Sequence, residues 1–194
     1  MRELILKMSM SLDGFVGEVP GMSGLMYGSD AEAVADGVAI TQNASLHLMG
    51  SRSFEVMAPF YPTATIPFAP AMNEIPKAVF SKRGPAVLAA AAGSKAVAGA
   101  QSWAEAVVLS GDLADEIARL KAADGKPILA HGGATFARSL VAAGLIDQFI
   151  LGVHPVVLGK GLAVFSELAA PTPLKLISSQ AFPGGSVAQV YRPA

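Results

Sequence analysis

Cysteine is absent from the chain. Its absence excludes disulfides, thiolate nucleophiles and cysteine-ligated metals. Charge is scarce: 15% of the 194 residues are charged, the net charge is −1, and there is no basic run. Broad nucleic-acid binding needs a basic face, so that class is set aside. Long apolar runs are missing too. A spanning helix needs about 20 strongly apolar residues. The most apolar candidate, Pro85 to Ala100, is mostly alanine and is cut by Gly93, Ser94 and Lys95. The opening Met1-Arg2-Glu3-Leu4-Ile5-Leu6-Lys7 has too short an apolar core for a secretory signal. No His, Asp and Glu fall at metal-ligand spacing. Together these absences predict a cytoplasmic protein with no membrane, nucleic-acid or metal partner.

What is present is apolar. Hydrophobic residues make up 52% of the chain, which excludes a polar, disordered polymer. The length suits one domain, 1–194, around a single core. Mean hydropathy is +0.48, and this apolar surplus points to a subunit interface and a homodimer.

Periodicity predicts a strand over residues 4–11, with Leu4, Leu6, Met8 and Met10 on one face and Ile5, Lys7, Ser9 and Ser11 on the other. Leu12-Asp13-Gly14-Phe15 reads as a turn, and 16–28, rich in glycine and proline, as a functional loop. Ser29 and Glu32 form a capping-box pattern ahead of a helix over 33–40. Strands are predicted at 45–49, 78–81, 106–109, 128–130 and 148–158. A short helix is expected at 51–57, a proline-rich loop over 59–70, and a helix capped by Asp112 and Asp115 and ended by Gly125. The alanine-rich 86–100 fits either a frayed helix or a strand pair. A last hairpin, 174–178 with 187–192, turns at Pro183-Gly184-Gly185. The pattern is α/β with a mixed sheet.

The strongest chemical signal is Ile128-Leu129-Ala130-His131-Gly132-Gly133-Ala134-Thr135, where a strand runs through two glycines into a helix. Amides at a helix start have no intrahelical partner and sit at the positive end of the helix dipole, so they suit phosphate. Glycine lets an anion reach the main chain. A plain tight turn explains the pair equally well. Leu48-Met49-Gly50-Ser51-Arg52-Ser53 repeats the pattern after the second strand, with Arg52 able to fork to phosphate or to stand as a solvated surface residue. The methionines Met8, Met10, Met22, Met26, Met49 and Met57 suit a flat heterocycle pocket or, more simply, core packing.

In order along the chain stand Ser9-Met10-Ser11-Leu12-Asp13-Gly14, Gly50-Ser51-Arg52-Ser53, Val79-Phe80-Ser81, His131-Gly132-Gly133-Ala134, Gly144-Leu145-Ile146-Asp147 and Val153-His154-Pro155-Val156-Val157-Leu158-Gly159-Lys160-Gly161. In this order they resemble the reductase domain of bacterial riboflavin biosynthesis and its dihydrofolate-reductase-like relatives. The resemblance covers nearly the whole chain and is strongest at 128–165. It implies a dihydrofolate-reductase-like three-layer fold: a mostly parallel sheet flanked by helices, with a C-terminal antiparallel hairpin. It also implies an NADPH-dependent oxidoreductase acting on a small heterocyclic or carbonyl substrate, pteridine- or flavin-precursor-like.

The cofactor-binding residues it implies are Ser11, Gly14, Gly50, Ser51, Arg52, Ser53, Ser81, Gly132, Gly133, Ala134 and Thr135. Asp13 is the catalytic candidate, its alternative role being turn-making. Lys7, Ser9 and His154 are the substrate candidates. His131 could reach substrate or serve structure. The acidic residue that dihydrofolate reductases carry on their first helix would fall near Asp30 or Glu32, where helix capping already explains both. The zinc deaminase that precedes the reductase in the bifunctional riboflavin enzyme has no counterpart here, since its Pro-Cys-x-x-Cys ligands need cysteine; a stand-alone reductase domain is expected. The mild Ser51 and Ser53 leave room for a deazaflavin or flavin cofactor; dinucleotide binding without turnover is a separate alternative.

Overall fold

The computed structural model describes residues 1–16, 30–166 and 168–194. Among these, the order is β1 (Leu4–Ser11), β2 (Phe15–Val16), α1 (Ala31–Gln42), β3 (Leu46–Gly50), α2 (Ser51–Phe60), a 3₁₀ turn (Tyr61–Thr63), α3 (Ala69–Glu74), β4 (Lys77–Phe80), a 3₁₀ segment (Gly84–Ala96), α4 (Gln101–Ala104), β5 (Val107–Leu109), α5 (Leu113–Ala122), β6 (Ile128–Ala130), α6 (Ala134–Ala142), β7 (Gln148–His154), β8 (Leu162–Ala163), β9 (Leu174–Ala181) and β10 (Val187–Pro193). Eight strands form one sheet in the order β5-β4-β3-β6-β1-β7-β10-β9. Neighbours from β5 to β7 pair parallel, while β10 pairs antiparallel with β7 and with β9.

The alternation in β1 sorts the layers. Leu4 and Leu6 join Leu46, Leu48, Ile128 and Ala130 on one face, under Ile117 of α5 and Phe136, Ala137 and Leu140 of α6. On the other face Ile5, Leu129 and Ile150 pack beneath Ala44 and Ile40. There Met49 and Val79 also pack against Phe54 and Ala58 of α2 and against Trp103. Helices therefore cover both faces, as a largely parallel sheet requires. Met8, Met10, Met49 and Met57 all belong to these cores, so packing accounts for them; Met22 and Met26 lie outside the described residues.

Several boundaries differ from the predicted ones, each for a local reason. The N-cap of α1 is Asp30, whose carboxylate accepts from the N–H of Glu32 and Ala33; Ser29 of the expected capping box lies outside the described residues, as does most of the expected 16–28 loop. Helix α2 runs through Pro59 to Phe60, three residues beyond the predicted end. The alanine-rich stretch is neither an α-helix nor a strand pair but a 3₁₀ segment pinned by buried Val87, Ala91 and Ser94. Strand β7 stops at His154, where its ladder with β1 ends, not at 158; Pro155 has no N–H to extend it. Helix α5 ends at Ala122, before Gly125. Helix α6 ends as expected, with Gly144 just beyond its cap at φ +64°, a conformation that favours glycine.

Candidate functional site

Parallel strands β3 and β6 lie side by side, and each runs straight into a helix. Their N-caps are Gly50 and Gly133, and neither helix has a side-chain cap bond. Two sets of orphan amides therefore open on one rim of the sheet. Backbone bonds lock the two turns together: the Gly50 N–H donates to Gly132 O at 2.9 Å, and the His131 N–H to Leu48 O at 2.9 Å. The approach is too close for side chains. A Cβ at Gly50 would lie 2.7 Å from Phe136 Cβ, and one at Gly133 would lie 3.1 Å from Ser53 Oγ. Gly132 has φ +83°, and the Gly132–Gly133 peptide is cis. Ser51 and Ser53 are half-buried, Ala134 is buried, and Arg52 and Thr135 are exposed on this rim.

Strand β4 continues the rim, with Gly50 in register with Phe80. Ser81 follows, buried, its Oγ accepting from the Arg83 N–H at 3.2 Å. Lys82 and Arg83 are exposed beside it, and Arg83 pairs with Glu55 at 2.6 Å. The sequence reading stopped at Ser81 and missed both cations. The signal was there: two positive charges at once after a strand end, one strand over from Arg52.

Where β1 ends, Ser11 is buried and its Oγ accepts from the Phe15 N–H at 3.0 Å. The Gly14 N–H donates to Ser11 O at 2.9 Å. The Asp13 carboxylate accepts from the N–H of Leu158 at 3.1 Å and of Gly159 at 2.7 Å. The hydroxyl of Ser11 and these two amides hold its carboxyl down at about 2. Asp13 is thus an anion at neutral pH and has no proton to give. In this structure it clasps the β1 turn to the loop after β7.

The face of the sheet beneath α1 carries the remaining candidates. In register it holds Lys7 and Ser9 of β1, His47 of β3, and Gly152 and His154 of β7, with His131 just past β6. Gly152 leaves a notch: a Cβ there would lie 3.6 Å from Ser9 Oγ and 3.8 Å from His154 Nε2. Lys7 Nζ stands 5.4 Å over the Phe68 ring and 3.8 Å from where a Cβ of Gly37 would be. It makes no hydrogen bond or ion pair among the described residues. Burial lowers its pKa, against the pull of Asp36.

His47 is fully buried, with Nε2 3.2 Å from Thr41 O. A carbonyl only accepts, so Nε2 bears the hydrogen and Nδ1 is a bare acceptor. The His131 ring sits edge-on to it, centroids 4.7 Å apart. His47 Nδ1 and His131 Nε2 are both sealed from solvent without a partner among the described residues. Burial lowers all three imidazoles, His47 to about 4 and His131 well below its ordinary value.

A separate cavity of about 440 Å³ lies at the other end of the strands, beside Asn73, Ser102 and Glu105. Lys77 closes it, donating to Ile75 O at 2.5 Å, Ser102 Oγ at 2.6 Å and Asn73 O at 3.4 Å. Its three donors are thereby used. Among the described residues no group of three or more acidic or histidine side chains could hold a metal, and no helix is long and apolar enough to cross a membrane.

The family model of the RibD C-terminal domain matches residues 2–188. The uncharacterized protein YyaP of Bacillus subtilis (strain 168) is 34% identical over 87 residues, 45% of this chain and 46% of that protein. The chain thus spans less than half the length of the curated relatives it matches. A solved protein of Shewanella sp. PV-4 shares the fold with a TM-score of 0.71, at 20% identity over 99% of each chain. A diaminohydroxyphosphoribosylaminopyrimidine deaminase/5-amino-6-(5-phosphoribosylamino)uracil reductase of Thermotoga maritima matches with a TM-score of 0.65, at 16% identity over 100% of this chain and 57% of that one. The three-layer, dihydrofolate-reductase-like fold expected from the sequence is the fold observed.

Proposed function

The chain belongs to the RibD C-terminal domain family, and on that footing we propose that it is an NADPH-dependent reductase of a small heterocyclic or carbonyl-bearing substrate, with a pyrimidine the first class to try. One observation carries the reading: two uncapped helix starts, with glycine at both N-caps, share one rim of the sheet, where a Cβ at Gly50 has no room and one at Gly133 would press on the Ser53 hydroxyl. Such a rim suits a dinucleotide diphosphate. Gly50, Ser51, Arg52, Ser53, Gly132, Gly133, Ala134 and Thr135 would hold it. Arg52, Lys82 and Arg83 are cations along that rim, with Ser81 among them, and suit an added 2′-phosphate. The nicotinamide, once bound, supplies hydride. The chain's own part is to hold the acceptor in the notch of Lys7, Ser9, Gly152 and His154, and to shield it from water. Ser11 and Gly14 shape the turn beside it.

A thermal-shift comparison of NADPH, NADH, FMN and a deazaflavin tests this. A ligand at 100 times its Kd adds about 2.7 kcal/mol, so NADPH should raise Tm by several degrees. No shift with NADPH overturns the reading, and a shift with the deazaflavin alone replaces the cofactor. NADPH binding without oxidation in the presence of 5-amino-6-(5-phosphoribosylamino)uracil or simpler aldehydes leaves a binding protein. A charge-assisted hydrogen bond contributes about 1.5 kcal/mol or more. The change Lys82→Gln should therefore weaken NADPH by about tenfold while leaving NADH within about twofold, read by titration calorimetry.

We propose a homodimer on separate grounds. Strand β9 is the sheet's edge and is exposed along its whole length. It carries Leu174, Leu176 and Ile177, the last two 50% exposed. A long apolar edge left open is an aggregation template, and a second copy of the same edge would cover it. Leu176→Glu with Ile177→Lys should give a monomer in sedimentation; a wild-type monomer at micromolar concentration sinks the idea.

A further inference from the structure

We propose that Lys7 is the proton donor of this reduction, and that His131 and His47 are positioning residues that keep its ammonium unpaired and ready to give its proton. The inference rests on the reductase reading and adds what that reading lacks, a source for the proton. When hydride reaches the substrate carbon, the π bond of its C=N or C=O breaks toward the heteroatom. That heteroatom must then take a proton. Balance needs one hydride and one proton, and leaves the nicotinamide oxidised. The donor afterwards regains its proton from water.

The described groups facing the notch leave few choices. The carboxylate of Asp13 is held as an anion by the Ser11 hydroxyl and two backbone N–H groups. His47, His131 and His154 are all pushed toward the neutral form by burial. Ser9 is far too weak an acid. Lys7 is left: its amine makes no hydrogen bond or ion pair among the described residues, and it stands over the Phe68 ring with its N–H groups unused.

Its surroundings are unusual in what they withhold. Asp36 of α1 attracts the ammonium from a distance but makes no ion pair with it. The Phe68 ring offers only its face. Gly37 presents no side chain at all. On the sheet side stand the imidazoles of His47 on β3, His131 after β6 and His154 on β7; Lys77 of β4 lies farther off, yet acts on both His47 and His131. His47 Nδ1 is a bare acceptor, and it and His131 Nε2 are sealed from solvent with no partner among the described residues. A buried polar atom without a partner calls for a role. Leu6 pairs in register with Ala130, which sets Lys7 beside His131, and the His131 ring meets that of His47. Three polar groups without a partner among the described residues thus share one face of the sheet. Neutral imidazoles can accept from Lys7 without holding its charge as a carboxylate would.

The test has two arms on the full-length protein. The first needs no substrate: competitive acetylation with trace acetic anhydride between pH 6 and 11, read lysine by lysine by mass spectrometry. Lys7 should titrate below the exposed lysines of the same sample. His131→Asn should move that midpoint while leaving the references in place. A Lys7 midpoint equal to that of Lys82 overturns the proposal, whatever the turnover.

The second arm follows NADPH oxidation with 5-amino-6-(5-phosphoribosylamino)uracil. Lys7→Met and Lys7→Arg should each lower kcat at least 100-fold, with NADPH Kd within twofold of wild type. Arginine keeps the charge but does not part with its proton, so a purely electrostatic role would be rescued by it. Lys7→Arg retaining a tenth or more of kcat overturns the donor role and spares the reductase reading. A wild type that binds no NADPH takes down both.

Discussion

Ser53→Asp should leave the free protein as stable as wild type and cut its NADPH affinity by at least about 100-fold. Ser53 is the third residue of α2 and is half-buried on the glycine rim. An acidic side chain in the first turn of a helix is favourable, by roughly 0.3–1 kcal/mol. The fold therefore gains or loses little. The same carboxylate would stand between the two helix starts, because Ser53 Oγ already lies 3.1 Å from where a Cβ of Gly133 would be. It would take the orphan amides for itself and face the diphosphate at close range. Two like charges 4 Å apart repel by about 4 kcal/mol at an effective dielectric of 20, and about 2.7 kcal/mol already gives the 100-fold. Tm with and without NADPH separates the outcomes. An Asp variant whose Tm still rises with NADPH to the wild-type extent removes the diphosphate from this rim. Ser53→Ala, which deletes only a hydroxyl, should lose about tenfold or less.

The rim was legible in the sequence because it depends on short-range rules. A strand, a glycine and a helix-forming run place an uncapped helix start wherever they occur, at Gly50 and again at Gly133. That the two starts are neighbours was not a local matter. It follows from β6 inserting between β3 and β1, and parallel crossovers leave no mark in the sequence between them. The same limit hid the basic compartment. Lys7, His47 and His131 are 40 and 84 residues apart in steps along the chain, and only the register of three strands sets them on one face. His131 was visible as a histidine beside a glycine pair, but nothing local showed that it would meet a second histidine. Asp13 is legible at the end of β1 as a polar residue in a turn, but its partners, the amides of Leu158 and Gly159, come from a loop about 145 residues away. The alanine-rich stretch was undecidable for a third reason. Its composition carries little periodicity, and its 3₁₀ form is set by packing on Trp103 and Phe54.

The buried imidazoles also fix how the fold should fail in acid. His47 has a pKa of about 4 when folded, against an ordinary value of 6.5, because burial penalises its cation. The unfolded chain therefore binds this proton first as pH falls. Stability conferred by keeping His47 neutral is complete above about 6.5, declines as pH drops from there, and has gone by about 4. A difference of 2.5 units corresponds to about 3 kcal/mol, a large part of the margin of a domain this size. His131 acts in the same direction. Other shifted groups fall in other windows. The carboxyl of Asp13, lowered from 3.8 to about 2, contributes stability that is lost only below the ordinary carboxylate range. Lys77, lowered to about 7 from 10.5 by burial, makes stability rise between those values and is protonated in both states below them. The interval from 6.5 to 4 therefore belongs chiefly to the histidines. Urea midpoints at pH 7, 6, 5 and 4 should fall steeply for wild type. His47→Gln keeps a donor for Thr41 O and cannot titrate, so its unfolding free energy should fall by about 3 kcal/mol less over the same range. Parallel curves for the two proteins would show that His47 takes up its proton without unfolding, and that the compartment beneath α1 is open to water.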